Sequence, residues 1–528
     1  MGRIYHDCAS VVAWLGLEGP ETALAFKIME IVQTQISAET WVQTARIRSW
    51  RNLLGEKKED ASPEIRRNIA LLDEVMSPAW DAHWEAFSQL MHRSWFYRAW
   101  TTQECILPPQ GSFWCGNLRC PIRHFFRPVA QLAERLHHGS LDDVFLGSDT
   151  LLGEREALRR NLILLEVGRS RFALHHAPMY EIPWKSARRG QCIDPRDHVY
   201  STLGLFDHDP IHPDYAKPVD EVFREFVLVA EPRIDHILYK VEEPSQRVTP
   251  NLPSWVPDFQ TPGWPIEWVC LGAEPVYNAG QAGDKVILKL ESTDPRVFAL
   301  MGCLVDEVKH VGASFDELVG RDGLLTSLRQ LDGMEWAGGD IVETFWRTLP
   351  INLIGAGPMH LTAERHGTGF RAMALYMIAS SISLPDVSPT DVSTTEQLVE
   401  SLRRKTNTEF LPTWAEILDF SAALRGDEAG RKDAIRDASA RAKEYMFSLH
   451  RMFEGRRWYV TDKGSLGTGP MSLRAGDRVC IFQGMRYPCL LRGKGDGGRY
   501  TFIGCCYVDG IMHGEALPGA EFVRVEIE

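Results

Sequence analysis

The feature that most constrains the fold is an apolar run close to the start of the chain. Residues Val11–Gly16 read Val-Val-Ala-Trp-Leu-Gly, and they are apolar at consecutive rather than alternate positions. Such a run is typical of a strand that is buried on both faces of a parallel sheet. Pro20 then stands where it favours a helix start, and Leu24 and Ile28 lie on the apolar face of a helix predicted over residues 21–37. A buried strand followed directly by an amphipathic helix is half of a β-α-β unit, which predicts an α/β fold.

The rest of the first 230 residues continues this pattern. A short strand is predicted at residues 113–116, and residues 51–63 are charged and predicted to form a loop or a surface helix. Asp194 precedes Pro195 in a pattern that predicts a helix capped by Asp194 and running to about Leu205. Further helices are predicted over residues 64–92, 122–137, 150–166 and 218–230.

Beyond residue 245 the pattern changes. Residues 265–312 alternate like strands, and residues 313–450 are mostly helical, with an exposed loop predicted at 380–395 because Ser, Thr, Pro and Asp are concentrated there. From residue 456 short β segments alternate with glycine turns, which predicts a small β-barrel or meander. The predicted division is an α/β domain at 1–230, an extended and β linker region at 231–312, a mainly helical region at 313–455 and a small β module at 456–528.

Composition narrows the classes of function. The chain has 528 residues and a net charge of -13. It lacks the basic excess that is typical of nucleic-acid-binding proteins, so no nucleic-acid partner is predicted. Its longest apolar run is too short to span a membrane. The spacing of its 11 cysteines fits no zinc framework, and free thiols together with the absence of glycosylation sequons predict a cytoplasmic protein. No metal and no required cofactor are predicted.

Four short blocks follow one another in the predicted α/β domain. They are residues 4–16 (IYHDCASVVAWLG), residues 93–104 (RSWFYRAWTTQE), residues 194–205 (DPRDHVYSTLGL), and residues 213–215 (PDY) with Val222 and Phe223. In type, order and spacing these blocks resemble those of the fungal heterokaryon incompatibility (HET) domain family. Two further segments, residues 252–258 and residues 476–515, resemble sequence that commonly follows this domain.

The resemblance implies a fold. The HET domain is considered related to the Toll/interleukin-1 receptor (TIR) domains, which implies a TIR-like or flavodoxin-like parallel sheet flanked by helices. Family members usually carry one more block before the Ile-Tyr segment. The resemblance therefore implies that the first strand is missing from this chain, either because the gene model is truncated or because the domain is a genuine remnant.

The resemblance also implies a candidate site. Some TIR domains cleave NAD with a glutamate on a helix, and Ser94, Trp95, Trp100 and Glu104 are similar to that setting in type and spacing. Glu104 is then the catalytic candidate, because a carboxylate there would orient ribose hydroxyls and stabilise the oxocarbenium charge that develops as the glycosidic bond breaks. Trp100 would offer a stacking face for a ring of the ligand, and Arg196 would lie at the rim of the same pocket.

Purely structural roles explain the same residues. Glu104 alternatively pairs with Arg98 or Arg93 on a helix surface, and Trp100 alternatively packs in a core. The segment Asp194-Pro195-Arg196-Asp197 is also a helix-start pattern in which Arg196 pairs with a carboxylate.

Three functional hypotheses remain open. The first is a protein of non-self recognition or cell-death signalling that assembles with copies of itself or with a protein partner. The second is an enzyme, a NAD glycohydrolase that uses Glu104, with NAD as its substrate. The third is an inactive, truncated remnant.

Overall fold

The computed structural model describes most of the chain, and every structural statement below concerns the part that it describes. The described residues are 2–35, 62–75, 77–122, 186–188, 190–206, 211–230, 234–241, 243–261, 276–281, 294–334, 339–353, 360–384, 386–406, 409–495 and 498–528. They form two compact units, Met1–Ala230 and Glu231–Glu528. The loop predicted at 51–63 and the helices predicted at 122–137 and 150–166 lie wholly or almost wholly outside the described residues.

The first unit mixes helices with short strands. Its α-helices are α1 (Gly2–Asp7), α2 (Thr22–Gln35), α3 (Pro63–Val75), α4 (Asp81–Met91), α5 (Thr101–Ile106), α6 (Asp197–Tyr200) and α7 (Val219–Ala230). Three 3-10 helices lie at Pro78–Trp80, Ser94–Tyr97 and Leu203–Leu205. Its strands are β1 (Val11–Gly16), β2 (Gly111–Cys115) and β3 (Leu118–Pro121).

The strands form a sheet in the order β1-β2-β3. Strand β1 pairs with β2 in parallel, with Val11 opposite Gly111, and β2 pairs with β3 in antiparallel. Helix α2 follows β1 as predicted, and β2 contains most of the short strand predicted at 113–116. The described part of the first unit therefore mixes α and β structure around a three-stranded sheet in which β1 and β2 pair in parallel.

The prediction that β1 is buried on both faces is wrong. Ala13 and Leu15 belong to the core that α2 and α4 complete, whereas Val12 and Trp14 are 49% and 51% exposed. Among the described strands β1 lies at the edge of the sheet, and its apolar packing comes from one face. The consecutive apolar residues predicted the strand correctly but not its surroundings.

The second unit contains a helical layer and a large β-sheet. Its α-helices are α8 (Ile234–Leu238), α9 (Phe315–Val319), α10 (Gly323–Asp332), α11 (Ile341–Thr348), α12 (Thr368–Ile382), α13 (Pro389–Thr406), α14 (Trp414–Leu424) and α15 (Glu428–Phe453). A 3-10 helix lies at Pro244–Gln246 and a π-helical turn at Ala363–Gly367. Its strands are β4 (Phe298–Ser314), β5 (Arg456–Thr461), β6 (Leu466–Pro470), β7 (Arg478–Phe482), β8 (Cys489–Gly493), β9 (Arg499–Cys505), β10 (Tyr507–Val508) and β11 (Val523–Ile527).

These strands form a sheet in the order β10-β6-β5-β4-β11-β9-β8-β7, and β4 also pairs with β7. The second pairing of β4 closes the five strands β4, β11, β9, β8 and β7 into a barrel. A barrel has no unpaired edge along its closed strands, which removes a common route to aggregation. The predicted boundary at residue 312 falls within β4, so the region predicted as a linker supplies a strand to the β module.

The exposed loop predicted at 380–395 is wrong over most of its length. Helix α12 continues to Ile382 and α13 begins at Pro389. The Ser388 hydroxyl accepts the Asp391 backbone N–H at 3.2 Å, and the Asp391 carboxylate accepts the Ser388 N–H at 3.1 Å. This reciprocal pair satisfies donors at the helix start, and Pro389 follows at the first helical position. The small polar residues thus mark a helix start rather than a loop.

Candidate functional site

The carboxylate of Glu104 is held by two side chains, one from a distant helix and one from its own sequence block. Glu104 lies on α5 and is half-buried. Its Oε1 accepts a hydrogen bond from the Tyr5 hydroxyl at 3.4 Å, and its Oε2 accepts one from Trp95 Nε1 at 3.0 Å. A carboxylate has about four acceptor positions, so these two bonds fix its orientation and leave acceptors for a further donor.

Trp95 owes its position to core packing. Its ring is 5% exposed and makes edge-to-face contacts with Phe96 and Phe113, with ring centroids 5.2 Å and 4.9 Å apart. Because Phe113 lies on β2, the central strand of the sheet sets the direction of the indole N–H. Trp95 thus packs in the core and also donates to the candidate carboxylate.

Tyr5 is the second partner and lies on α1. Burial raises the pKa of its hydroxyl, and the charge of Glu104 and the hydrogen bond to it raise the pKa further. The hydroxyl therefore keeps its proton at neutral pH and acts as the donor to Glu104.

The structure does not show the alternative role of Glu104, in which it pairs with Arg93 or Arg98 on a helix surface. Arg93 Nη1 donates to the carbonyls of Leu15 and Leu17 at 2.9 Å and 2.8 Å, so its guanidinium ties this segment to the end of β1. Within the described residues, no ion pair joins Glu104 to Arg93 or to Arg98.

The neighbouring residue Gln103 joins this segment to the third sequence block. Gln103 is 1% exposed, and its Nε2 donates to the Ser201 carbonyl at 2.6 Å. Gly2 and Gly204 meet beside it, because a methyl group added at Gly204 would lie 2.7 Å from the Gly2 Cα and 2.6 Å from Gln103 Oε1. Residues from three blocks of the sequence thus converge on Gln103 and Glu104.

We expect Gly204→Ala to disturb this convergence. The added methyl group has no room, so α1 must move away, and we expect the free energy of unfolding to fall by about 1–3 kcal/mol. Chemical denaturation of the purified chain measures this change. Gly493→Ala is the matched control, since a methyl group there meets no atom within 4 Å. An equal effect of both substitutions would contradict the close contact at Gly204.

Trp100 is half-buried and immediately precedes α5. Its carbonyl accepts the backbone N–H of Gln103 at 3.2 Å, so it begins the helix that carries Glu104. Trp100 is four residues before Glu104, and residues at this spacing lie on the same side of a helix. The structure therefore keeps both residues at one helix end.

Arg196 is engaged within its own segment. Its Nε and Nη2 donate to the two oxygens of Asp194 at 2.9 Å and 2.8 Å, and its Nη1 donates to the carbonyls of Tyr215 and Lys217. These hydrogen bonds lower the pKa of Asp194. Arg196 thus joins the residue 194–205 block to the Pro-Asp-Tyr block, and no contact with Glu104 is described.

The predicted cap by Asp194 is wrong in detail. Helix α6 begins at Asp197 with Arg196 in the N-cap position and no side-chain cap, while the Asp194 carboxylate accepts the Arg196 N–H at 3.0 Å. Asp197 instead accepts the Tyr215 hydroxyl at 2.6 Å. The predicted single helix to Leu205 is a short α-helix followed by the 3-10 helix Leu203–Leu205.

The sequence reasoning did not predict that Tyr5 and Gln103 belong to this site. Tyr5 is 99 residues from Glu104 in the chain. The signal that was available is its place in the first of the four blocks. Among the described residues, no cluster of three or more His, Cys, Asp or Glu side chains has the arrangement of a metal site.

An open groove of about 1230 Å³ lies in the second unit between the β4-β5-β6 strands and α10. Both signs of charge line it, since Lys309 and Lys463 stand beside Asp462 and Asp509. Lys309 Nζ lies 3.9 Å from Asp462 Oδ1, and Lys463 Nζ donates to the Val305 carbonyl at 2.6 Å. This charge pattern favours no particular ligand.

In the described parts of the chain, none of the helices is both long and apolar enough to cross a membrane.

Comparison with known proteins relates two parts of the chain to known families. The model of the family described as "Heterokaryon incompatibility protein (HET)" matches residues 1–104, and that of the Het-6 beta-barrel domain matches residues 392–522. The chain is 39% identical over 108 residues to heterokaryon incompatibility protein 6, OR allele, of Neurospora crassa. That alignment covers 20% of this chain and 16% of the relative, so the likeness concerns a small part of both proteins. No solved structure matches the chain.

Proposed function

We propose that this chain, a HET domain protein with its HET match at residues 1–104 and its Het-6 β-barrel match at residues 392–522, acts in incompatibility-type non-self recognition that ends in cell death. The observation that carries this proposal is the 39% identity to a heterokaryon incompatibility protein over 108 residues. The HET match includes all three side chains at the candidate carboxylate, namely Tyr5, Trp95 and Glu104.

In this proposal the HET domain acts by assembling with copies of itself or with a protein partner in the cytoplasm. The exposed apolar side chains of β1 are consistent with assembly. Strand β1 has one described neighbour, β2, and its Val12 and Trp14 side chains are about half exposed. An edge strand with exposed apolar side chains can accept a strand or an apolar surface from another chain.

Expression in a fungal host tests the proposal. We expect induction of the full chain to arrest growth. A variant with Trp95→Ala loses both a core ring and a donor to Glu104, so we expect the host to grow normally with it. Immunoblots must show equal amounts of the two proteins. Normal growth with the unaltered chain at the same protein level would contradict the proposal.

A second candidate is NAD cleavage by a TIR-like HET domain. The observation that favours it is the orientation of the Glu104 carboxylate, which Tyr5 and Trp95 hold by one oxygen each. A carboxylate that is already oriented costs little reorganisation when positive charge develops beside it, which is the condition for electrostatic stabilisation of an oxocarbenium-like transition state. The parallel pairing of β1 with β2 agrees with a TIR-like sheet.

The other two candidate residues take different parts in this second candidate. Trp100 would provide the stacking face, since it lies one helical turn from Glu104. Arg196 would shape the rim of the pocket indirectly, because its guanidinium is already occupied by Asp194 and by backbone carbonyls. NAD would be the substrate, and its cleavage would accompany assembly rather than exclude it.

A further inference from the structure

Two cysteines face each other across neighbouring strands of the barrel. Cys489 on β8 is the register partner of Cys505 on β9, and their sulfur atoms are 3.9 Å apart. The Cys506 N–H donates to the Pro488 carbonyl at 2.9 Å, which makes Pro488 and Cys506 the hydrogen-bonded pair. Cys489 and Cys505 therefore occupy the adjacent non-hydrogen-bonded position, where facing side chains of an antiparallel pair come closest.

The backbone around the pair is held firmly by a buried cation. Arg456 on β5 is 5% exposed, and its Nη2 donates to the carbonyls of Thr468 and Cys505 at 2.7 Å and 3.1 Å. Burial lowers the pKa of Arg456 to about 10, so the side chain remains charged at neutral pH. Since a charged donor makes a strong hydrogen bond to a carbonyl, Cys505 is fixed opposite Cys489.

The two cysteines differ in burial. Cys505 is half-buried, whereas Cys489 is fully buried. Burial raises the pKa of the Cys489 thiol well above its ordinary value. A small oxidant in solution therefore reaches Cys505 first, and Cys489 lies beside it as a thiol that is shielded from solvent.

We propose that Cys489 and Cys505 are a site of reversible oxidation, at which a hydroperoxide closes a disulfide between β8 and β9. In the first step the Cys505 sulfur attacks a peroxide oxygen and the O–O bond breaks. The thiol proton passes to the departing hydroxide, so one water leaves and Cys505 becomes a sulfenic acid. In the second step the Cys489 sulfur attacks the sulfenic sulfur, the S–O bond breaks, and a second water carries away the thiol proton. Two thiols and one hydrogen peroxide thus give one disulfide and two waters.

The disulfide would act as a latch on the barrel. It joins two of the five strands that close the barrel, and the strands are already in register, so little movement is needed to form it. A covalent link between β8 and β9 opposes separation of the two strands. The oxidation state of the pair would then set how readily this side of the barrel opens. This inference concerns the barrel and does not depend on the role of Glu104.

Peptide mapping of the full chain tests the inference. The purified protein is treated with equimolar hydrogen peroxide, its free thiols are blocked, and it is digested with trypsin without reductant. We expect residues 487–492 and residues 500–524 to be recovered as one cross-linked species that is two hydrogens lighter than the separate peptides. We expect dithiothreitol to reverse the cross-link. Oxidation of the chain without this species would overturn the proposal.

Four single-cysteine variants identify the sulfur atoms. Cys505→Ser is expected to abolish the cross-link, whereas Cys506→Ser is expected to keep it, although both residues lie in the same tryptic peptide. Cys480 is the register partner of Cys489 on the opposite side, so Cys480→Ser is also expected to keep the cross-link. In Cys489→Ser we expect a sulfenic acid to persist on Cys505 and to react with dimedone. Loss of the cross-link in the Cys480 variant, or a Cys480–Cys489 link in the unaltered chain, would contradict the assignment.

Discussion

Replacing Glu104 with glutamine is expected to lower nicotinamide release from NAD by the full chain about a hundredfold to a thousandfold. The amide has the size of the carboxylate, so the packing of Trp95 against Phe113 is kept. The negative charge is lost, and the Tyr5 hydroxyl and the Trp95 N–H no longer both face a charged acceptor. Chromatography of the reaction products measures the release.

Glu85→Gln is the matched control for this experiment. Glu85 is exposed on α4, and its carboxylate accepts a hydrogen bond from the Gln89 side chain at 3.2 Å. The Glu85 variant should therefore release nicotinamide at the rate of the unaltered chain. Equal release by the Glu104 variant would contradict the catalytic role, and no release by the unaltered chain would contradict the second candidate function. If growth arrest persists in the Glu104 variant while release is lost, assembly rather than NAD cleavage causes the arrest.

Replacing Asp258 with asparagine is expected to lower the free energy of unfolding of the second unit by about 3 kcal/mol. Asp258 is fully buried. Its Oδ2 accepts the N–H groups of Val248 and Thr249 at 2.8 Å and 2.7 Å, and its Oδ1 accepts the Thr249 hydroxyl at 2.7 Å and the Gln260 N–H at 3.0 Å. An amide NH₂ in place of either oxygen would face the N–H and O–H donors that the carboxylate accepts, so it would have no acceptor there. Chemical denaturation followed by tryptophan fluorescence measures the loss, and buried Trp255 lies nearby as a probe.

Asp419→Asn provides the control for this prediction. Asp419 is exposed on α14, and surface substitutions of this kind change the free energy of unfolding by no more than about 0.5 kcal/mol. A loss at Asp258 as small as that at Asp419 would contradict the view that this carboxylate organises the segment. Arg247 makes the complementary contribution, because its guanidinium donates to the carbonyls of Pro253, Ser254 and Val256.

Local patterns predicted the elements whose cause is local. Strand β1 and helix α2 follow from the apolar run at Val11–Gly16 and from the helical spacing after Pro20. Helix α7 was predicted at 218–230 and lies at Val219–Ala230 for the same reason. Each of these elements has its period and its end signals within its own residues.

Long-range pairing explains what the sequence could not show. The role of β4 depends on β7 and β11, which lie more than 150 residues further along the chain. The exposed outer face of β1 depends on which elements surround the sheet. The loop prediction for residues 380–395 was wrong for a different reason, because Ser and Pro residues are typical both of loops and of helix starts.

The candidate site was partly predictable. Glu104 was singled out through the resemblance of residues 93–104 to a family block, and the structure shows that its carboxylate is oriented by hydrogen bonds. Tyr5 could not be read from spacing, because another helix supplies it. Trp95 was named with Glu104 from the sequence, but the direction of its indole N–H depends on packing against Phe113 of the sheet. Arg196 was proposed for the same pocket, but its contacts are with Asp194 and with the segment around Tyr215.

The long strand β4 also sets the timing of folding. On the ribosome β4 is synthesised well before its partners, and the helices α9–α15 are made between them. The backbone hydrogen bonds of a helix are local, so those helices can form as they emerge, whereas the barrel must wait until residues 478–527 have been made. Closing so long a segment is slow, and during the wait β4 displays a 17-residue strand to any other unpaired strand. The last step of folding in the second unit is therefore the one most exposed to competition from neighbouring nascent chains.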